Sequence, residues 1–453
     1  MYDPLYSASQ MRVAEERYPG YPDTIPELME RAGVSVAQEA MLAYPAARRF
    51  ACVCGDGSNG GDGRVAARVL REAGHQADET SEGLDGYEVI VDALFGTGFR
   101  GEPRAEAAEL IARINAESAP VVAVDLPSGV DASTGEVAGA AVYADLTVTF
   151  HAPKVGLVVA PGRFHAGRVV VADIGLEHIP TDTRRATPEL LAMVPRRRAG
   201  DTKYTAGAVL VVGGQPGMTG AAALTARSAF RADAGYVTLA VPAASLPVAE
   251  TLVLEAVKVG WDEETAAATI VAAAERAGAL ALGPGLGRGE GRRTLVRELL
   301  ERIDLPAVVD ADALFELDPV ARSAPTVLTP HAGELARLLG TDSAWVDAHR
   351  LEAAQLGAER FGAVLLLKGP DTIVAAPDHG AVVSDFGPPS LATAGTGDVL
   401  TGVVAAFLAK GVEPQLAAVA AAVAHGRAAE LVPHASGLVA SDLLETLPAA
   451  LDR

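Results

Sequence analysis

From Phe50 onward, short apolar runs alternate with longer amphipathic ones: FACVC, then RVAARVLREAG, EVIVDALF, AAELIARINAE, VVAVDLP and LTVTFHAP. Brief continuous apolar runs read as strands buried on both faces, and apolar positions three and four apart read as helices packed over them. That order predicts a parallel sheet covered by helices. Two of the strands end in an aspartate, Asp92 and Asp125. In open α/β sheets ligands collect outside the carboxyl ends of the strands, so a site is expected there. Between Ile174 and Asp201 the pattern gives way to a polar stretch rich in Pro and Arg, EHIPTDTRRATPELLAMVPRRRAGDT, with no convincing strand. It reads as a domain junction. A second α/β series follows through AVLVVGG, ALALGPGLG, AVVDADAL, TVLTPHAGE and VLLLKGPDTIV, and ends in Ala-rich helical sequence. No short-period repeat is evident, so two folds are expected rather than a solenoid. The expected domains are 1–190 and 195–453.

Composition agrees with two cores. The 453 residues exceed what one hydrophobic core usually supports, and 49% of them are hydrophobic and evenly spread. The net charge of −21 would repel a phosphate backbone rather than release its counterions, which argues against nucleic acid as a partner. Cys52 and Cys54 are two apart in an apolar run, so strand alternation points both to one face; no second pair completes a metal site, and a buried structural role is expected. The N-terminus lacks a basic-then-apolar signal pattern, and no apolar stretch approaches the ~20 residues of a membrane span. A cytoplasmic protein without membrane contact is expected.

The segment CGDGSNGGDG, from Cys54 to Gly63, follows a strand and opens a helix. Glycines there let backbone approach a ligand, and helix N-terminal amides hold an anion. Gly55, Gly57 and Gly60 fit G-x-G-x-x-G, with Glu79 about 20 residues further on, as a dinucleotide fingerprint requires. Two features weigh against a plain dehydrogenase. The expected second strand, HQADET, is poorly apolar, and three more polar clusters converge at strand ends: DALFGTG, DLPSGVD, and Lys154 in HAPKVGL. Asn59, Asp92 and Ser128 offer the hard oxygen ligands that monovalent and hard divalent cations prefer.

Near the C-terminus, LATAGTGDVLTGVVAAFLAK sets Gly395, Thr396 and Gly397 just before a helix, with Asp398 in its first turn. Free amides there suit a transferring phosphoryl group, and an aspartate beside them can accept a proton from an attacking hydroxyl. An aspartate in that position is ordinarily a cap. Its surroundings favour chemistry. Lys368 ends a strand in LLLKGPDTIV, GPGLG from Gly283 to Gly287 supplies a second close-approach loop, and TPHAGE sets His331 and Glu334 after another strand. His425 and Arg427 lie on a late helix and read as packing or surface residues.

The order LMERAG, GSNGGDG, DALFGTG, DLPSGVD, HAPKVGL resembles the N-terminal domain of the NAD(P)H-hydrate repair enzymes over about residues 7 to 176, and the second set resembles their ribokinase-like dehydratase half over about 195 to 448. The resemblance implies an α/β chain: a Rossmann-like three-layer αβα domain, which epimerises hydrated NAD(P)H, followed by a ribokinase-like α/β domain, which dehydrates the S epimer using ADP or ATP. It implies substrate contacts from Ser58, Asn59, Gly60, Gly61 and Asp62, and from Gly96, Thr97, Gly98, Phe99, Arg100, Gly101 and Glu102. It also implies potassium at Asn59, Asp92 and Ser128, and Asp125 would then contact substrate as the best candidate acid/base. In the second half, Ala221, Gly285 and His331 would bind the hydrated dinucleotide. Lys368, Gly369, Pro370, Asp371, Thr372 and Gly397 would bind ADP or ATP with Mg²⁺, and Asp398 would bind substrate and activate its hydroxyl. Hydrated NADH and NADPH, a nucleotide and a homo-oligomeric assembly are the expected partners. Two positions depart from the family pattern: Ser58 replaces the first of two asparagines, and Asp233 stands where glycine is common. The alternative is a ribokinase-like small-molecule kinase fused to a nucleotide-sensing Rossmann domain, since fold alone does not separate the two.

Overall fold

The computed structural model describes residues 1–434 and 436–452. The chain forms two compact units: Pro4–Arg184 with Asp347–Arg350, and Arg185–Val346 with Met1–Asp3 and the chain from Leu351 onward.

The first unit is built on a six-stranded sheet in the order Gln76–Glu79, Arg49–Cys54, Val89–Ala93, Val121–Val124, Leu146–Phe150, Arg168–Ala172, every pair parallel. Strand alternation divides its side chains between two cores. Phe50, Cys52, Val89 and Val91 join one core with Val36 and Leu70 from the helices Ile25–Ala43 and Ser58–Glu72. Ala51, Val53 and Ile90 join the other with Ile111 and Ile114 from Ala105–Ala116. Helix, sheet, helix is the three-layer arrangement expected. Cys52 and Cys54 face the same core, as their spacing predicts, and burial pushes the Cys54 thiol up to about 11.

The poorly apolar segment is a strand after all. Gln76–Glu79 pairs in parallel with Arg49–Cys52 at the sheet edge and buries only Ala77. An edge strand presents one side to water, so it needs little apolar surface, and its polarity does not count against a Rossmann-like order.

In the second unit a parallel sheet runs Val364–Leu367, Thr326–Leu328, Ala307–Val309, Ala279–Leu282, Ala208–Val212, Tyr236–Pro242, Val257–Trp261. The strands Thr372–Ala376 and Gly380–Ser384 extend it antiparallel beyond Val364–Leu367. One face is covered by Thr219–Arg231, Thr396–Ala409, Pro414–Glu430 and Ala440–Leu451, the other by Ala266–Ala274 and Glu290–Arg302. Small residues let these helices pack closely: a Cβ on Gly402 would lie 2.0 Å from Ser228 Oγ and 2.2 Å from Thr225 O. The helix Thr396–Ala409 is therefore seated backbone-to-backbone on its neighbour, which fixes the position of its N-terminus. The junction stretch does contain a strand, Thr183–Ala186, followed by a 3₁₀ segment, Pro188–Met193, that buries Leu190 and Leu191. Its sequence, TRRA, hides the alternation because only the first and last residues are buried. Among the described residues no helix is long and apolar enough to cross a membrane.

Candidate active sites

The first site lies at the carboxyl ends of the strands of the first unit. Asp92, wholly buried, accepts hydrogen bonds from Ser128 N at 2.8 Å and Ser128 Oγ at 2.6 Å. Phe95 N donates to Ser128 Oγ at 2.9 Å, and Asn59 Nδ2 donates to Phe95 O at 3.0 Å. Asn59, Asp92, Ser128 and the Phe95 carbonyl thus form one hydrogen-bonded group. Burial raises the Asp92 carboxyl to about 6, with Ser128 and Leu94 opposing. The Asp92 carboxylate, the Ser128 hydroxyl and the Phe95 carbonyl are oxygen donors of the kind hard cations take; among the described residues no group of three or more His, Cys, Asp or Glu could hold a metal ion.

Asp125 begins the loop after Val121–Val124 with φ 66°, a left-handed backbone that Asp tolerates better than most residues. Its amide donates to Val148 O at 2.8 Å, which locks the turn to the neighbouring strand. Oδ1 accepts from Lys154 Nζ at 2.5 Å, Thr149 Oγ1 at 2.9 Å and Phe150 N at 3.4 Å. Lys154 is wholly buried, and its ammonium also donates to Thr149 Oγ1 at 3.0 Å and Phe150 O at 2.8 Å, so its three protons are all placed. Tyr6 holds this lysine from outside the loop: Tyr6 N donates to Pro153 O at 3.0 Å, and Val155 N donates to Tyr6 O at 3.1 Å. Two further carboxyls face the pair. Burial and then the Asp125 charge push Asp62 well above the usual range, and the same two causes raise Glu15.

The glycines of the first helix turn serve close approach: a Cβ on Gly60 would lie 1.8 Å from Gly55 O. Gly61, Gly96, Thr97 and Phe99 are half-buried, and Ser58, Gly98, Arg100, Gly101 and Glu102 are exposed. Phe95 and Phe99 stack with centroids 4.9 Å apart, which stiffens that loop. Glu79, the carboxylate a dehydrogenase would offer to a ribose, is taken by Arg71 at 2.8 Å and Arg64 at 3.8 Å.

In the second unit five consecutive parallel strands deliver a ring of groups. The helix Thr396–Ala409 begins on Gly395, φ 91°, which offers no side-chain cap; Thr396 N donates to Thr393 O at 3.3 Å, and the next amides of the first turn, Gly397 and Asp398, are the ones placed to meet an anion. Asp398 stands in that first turn, and burial, then Asp310, raise its carboxyl to about 7 against the opposing pull of Lys368. Lys368 Nζ donates to Asp310 Oδ1 at 2.7 Å and lies 3.9 Å from Glu334 Oε2. A Cβ on Gly397 would sit 3.4 Å from that ammonium, so the lysine and the helix N-terminus share one wall. Burial lowers the Lys368 proton affinity, but Asp310 and Glu334 outweigh it and leave it raised.

His331 caps the helix Ala332–Leu339, with Nδ1 accepting from Gly333 N at 3.0 Å while Glu334 Oε2 accepts from His331 N at 2.9 Å. Its ring is 56% exposed, so it is an outward-facing group rather than a buried structural one. A bridge pairs His331 with Lys368. Gly285, φ 62°, lies against Ala221, since an added Cβ would be 3.3 Å from Ala221 Cβ and 2.4 Å from Met218 O. Gly369 and Pro370 are exposed, Thr372 half-buried and Asp371 wholly buried. His425, read from sequence as packing or surface, is buried with Nε2 2.9 Å from Thr396 O, where burial lowers its ring to about 4; it braces the turn that carries Asp398.

Sequence reasoning singled out Lys154 without giving it a partner, and passed over Tyr6, Thr149, Glu15, Asp310 and Thr401. Asp310 did carry a signal: it ends an apolar run, AVVD, by the rule that flagged Asp92 and Asp125.

Comparison with known proteins separates the two halves in the same way. Residues 209–449 match the family described as NAD(P)H-hydrate dehydratase, and residues 26–82 and 75–156 match that described as YjeF-related protein N-terminus. The bifunctional NAD(P)H-hydrate repair enzyme of Moorella thermoacetica is 38% identical, covering 94% of this chain and 92% of its own. That of Escherichia coli is 35% identical, covering 94% and 89%. Among solved structures, the ADP/ATP-dependent NAD(P)H-hydrate dehydratase of Bacillus subtilis, co-crystallized with ATP/Mg²⁺, is 32% identical with a TM-score of 0.53, covering 58% of this chain and 96% of that one. A ribokinase-like superfamily protein of Enterococcus faecalis, 22% identical with a TM-score of 0.53 over 61% of this chain and 97% of its own, has the fold of the second unit. Matched by relatives across nearly its whole length and by both domain families in order, the chain belongs to the bifunctional NAD(P)H-hydrate repair enzymes.

Proposed function

We propose that the first unit interconverts the R and S epimers of hydrated NADH and NADPH, and that the second dehydrates the S epimer with ADP, releasing AMP and phosphate. The observation that carries the reading is Asp398: a half-buried carboxyl, raised to about 7, in the first turn of a helix whose N-cap, Gly395, offers no side-chain cap. A proton acceptor of that affinity matches neutral pH. Asp398 takes the proton of the ring hydroxyl as its oxygen bonds to the terminal phosphorus of ADP, and the bond from that phosphorus to the AMP oxygen breaks. The amides at Gly397 and the Lys368 ammonium balance charge on the phosphoryl oxygens. The ring carbon–oxygen bond then breaks, phosphate leaves, and a proton departs from the neighbouring carbon, which restores the dihydropyridine. Lys368, Gly369, Pro370, Asp371, Thr372 and Gly397 form the nucleotide side, and Ala221, Gly285 and His331 the dinucleotide side. Bound with the nucleotide phosphates, Mg²⁺ would supply neutralisation of their charge.

In the first unit, Asp125 accepts three hydrogen bonds on Oδ1, which leaves Oδ2 as the oxygen with capacity for a substrate proton. Loss of a ring hydroxyl needs an acid and return of water needs a base. Asp125, fixed by Lys154, supplies the base, and Asp62, whose proton affinity burial and the Asp125 charge raise, the acid. Asn59, Asp92 and Ser128 would hold K⁺ there, adding a positive charge beside the substrate phosphates bound by Ser58–Asp62 and Gly96–Glu102.

The test follows recovery of dihydronicotinamide absorbance when the protein, Mg²⁺, K⁺ and ADP meet a mixture of the S and R forms of hydrated NADH. Complete recovery supports both activities. A halt near the S fraction removes the epimerase, and absence of recovery with either ADP or ATP overturns the reading in favour of a small-molecule kinase.

A further inference from the structure

Phosphoryl transfer by Asp398 and Lys368 leaves Asp310 without a step, yet both of its oxygens are engaged. It follows the strand Ala307–Val309, is 1% exposed, and accepts from Lys368 Nζ at 2.7 Å on Oδ1 and from Thr401 Oγ1 at 2.6 Å on Oδ2. Thr401 lies on the helix Thr396–Ala409, about one turn beyond Asp398, and its hydroxyl also reaches Gly397 O at 3.1 Å. One carboxylate therefore joins the strand-end lysine to the helix that bears Asp398. The partner this ammonium takes matters chemically. An ion pair with Asp398 would hold that carboxylate ionised and weaken it as a proton acceptor, whereas a pair with Asp310 leaves it basic.

We infer that Asp310 is a positioning residue for phosphoryl transfer: it draws Lys368 off Asp398 and ties it to the helix, so that Asp398 receives the hydroxyl proton while Lys368 serves the nucleotide. The inference rests on the assignment of Asp398 as base. The charged groups facing Asp398 are Asp310 and Asp312 from the segment after Ala307–Val309, Lys368 from the end of Val364–Leu367, and Glu334 from Ala332–Leu339. Arg288 occupies Asp312 at 2.8 Å, and the buried His425 on Pro414–Glu430, its ring lowered to about 4 by burial, feels the Lys368 charge in turn. Of these carboxylates, Asp310 alone contacts both the lysine and the helix.

The experiment measures initial dehydration rates of the S epimer with ADP and Mg²⁺, on the full chain, from about pH 5.5 to about pH 9, for wild type, Asp310→Asn, Asp310→Glu, Thr401→Val and Asp398→Asn. Asp310→Asn is expected to move the acid limb down by about one pH unit and to lower the plateau roughly tenfold. Asp310→Glu restores the limb, and Thr401→Val lowers the plateau without moving it. An unmoved limb in a folded Asp310→Asn protein overturns the inference while leaving Asp398 as base. Wild-type rates in Asp398→Asn would instead overturn that assignment, and the inference with it. Should Asp310→Asn prove unfolded by circular dichroism, Thr401→Val decides: a plateau equal to wild type overturns the tie, and a roughly tenfold fall with an unmoved limb supports it.

Discussion

Each unit sets a lysine against an aspartate at the carboxyl end of a parallel sheet, but the two pairs are wired differently. In the first, Lys154 grips Asp125, the residue proposed to do the chemistry, at 2.5 Å, with no exposure of the lysine at all. In the second, Lys368 grips Asp310 at 2.7 Å, and the proposed base, Asp398, stands apart with its proton affinity raised to about 7. A pair of residue types can therefore either pin a carboxylate in one orientation or remove a cation from a neighbour that must stay basic. Whom the lysine holds, more than its presence, sets the acid–base character of the site.

The sharpest way to break this comparison is to remove each proposed acid/base in turn. Asp125→Asn is expected to cut epimerisation about 10²- to 10⁴-fold and leave dehydration of the S epimer intact, and Asp398→Asn to do the reverse. Equal loss of both activities in either variant would mean that the sites are not separate.

Next in size is the cost of orphaning a buried charge. Lys154→Met leaves Asp125 uncompensated and is expected to destabilise the first unit by about 3–5 kcal/mol, more than Lys368→Met does the second, because Lys368 is 21% exposed. Both tryptophans, Trp261 and Trp345, lie in the second unit. Urea unfolding followed by tryptophan fluorescence thus reads that unit, and far-ultraviolet circular dichroism reads both. A Lys154→Met protein whose dichroism midpoint is unchanged contradicts the ranking.

Acidity sharpens the contrast further. Dehydration is expected to fall roughly tenfold per pH unit below about 7, as Asp398 gains the proton that burial and Asp310 favour. The linked stability runs the other way. The folded chain holds a proton that the unfolded chain releases above about 4, so Asp398 contributes stability that is complete at low pH and lost as pH rises through about 7. A tryptophan-monitored urea midpoint that rose over that window would contradict it. For the first unit, K⁺ is expected to raise the thermal midpoint more than Na⁺ does, and Asp92→Asn to abolish the difference.

A third pair serves as the reference without chemistry. Asp233, φ 69°, follows the helix Thr219–Arg231 in the left-handed position where glycine is the usual choice, and it meets Lys410 and Arg197, each at 2.7 Å. Its side chain is 42% exposed. Backbone relief and ion-pair loss nearly cancel, so Asp233→Gly is expected to lower stability by less than about 1 kcal/mol. A larger change would mean that Lys410 depends on this carboxylate as Lys154 does on Asp125.

The sheets were readable because strands buried on both faces must be continuously apolar, and the glycine loops because helix N-termini require them. The edge strand Gln76–Glu79 and the junction strand Thr183–Ala186 were misread because each is partly solvated and only four residues long. The wiring of the sites was hidden for another reason. Lys154 meets Asp125 across 29 residues, Lys368 meets Asp310 across 58, and Thr401 meets Asp310 across 91. No local pattern encodes such pairings; they follow from strand order, which places distant loops side by side.

The left-handed backbone at Asp125 has an evolutionary consequence. Among side chains, Asp and Asn are the ones that best tolerate that conformation, and glycine adopts it freely. Drift at this position is therefore channelled toward residues that keep the turn and discard the carboxylate. Loss of the carboxylate proposed to do the chemistry, with the fold of the first unit kept, is therefore a short mutational step.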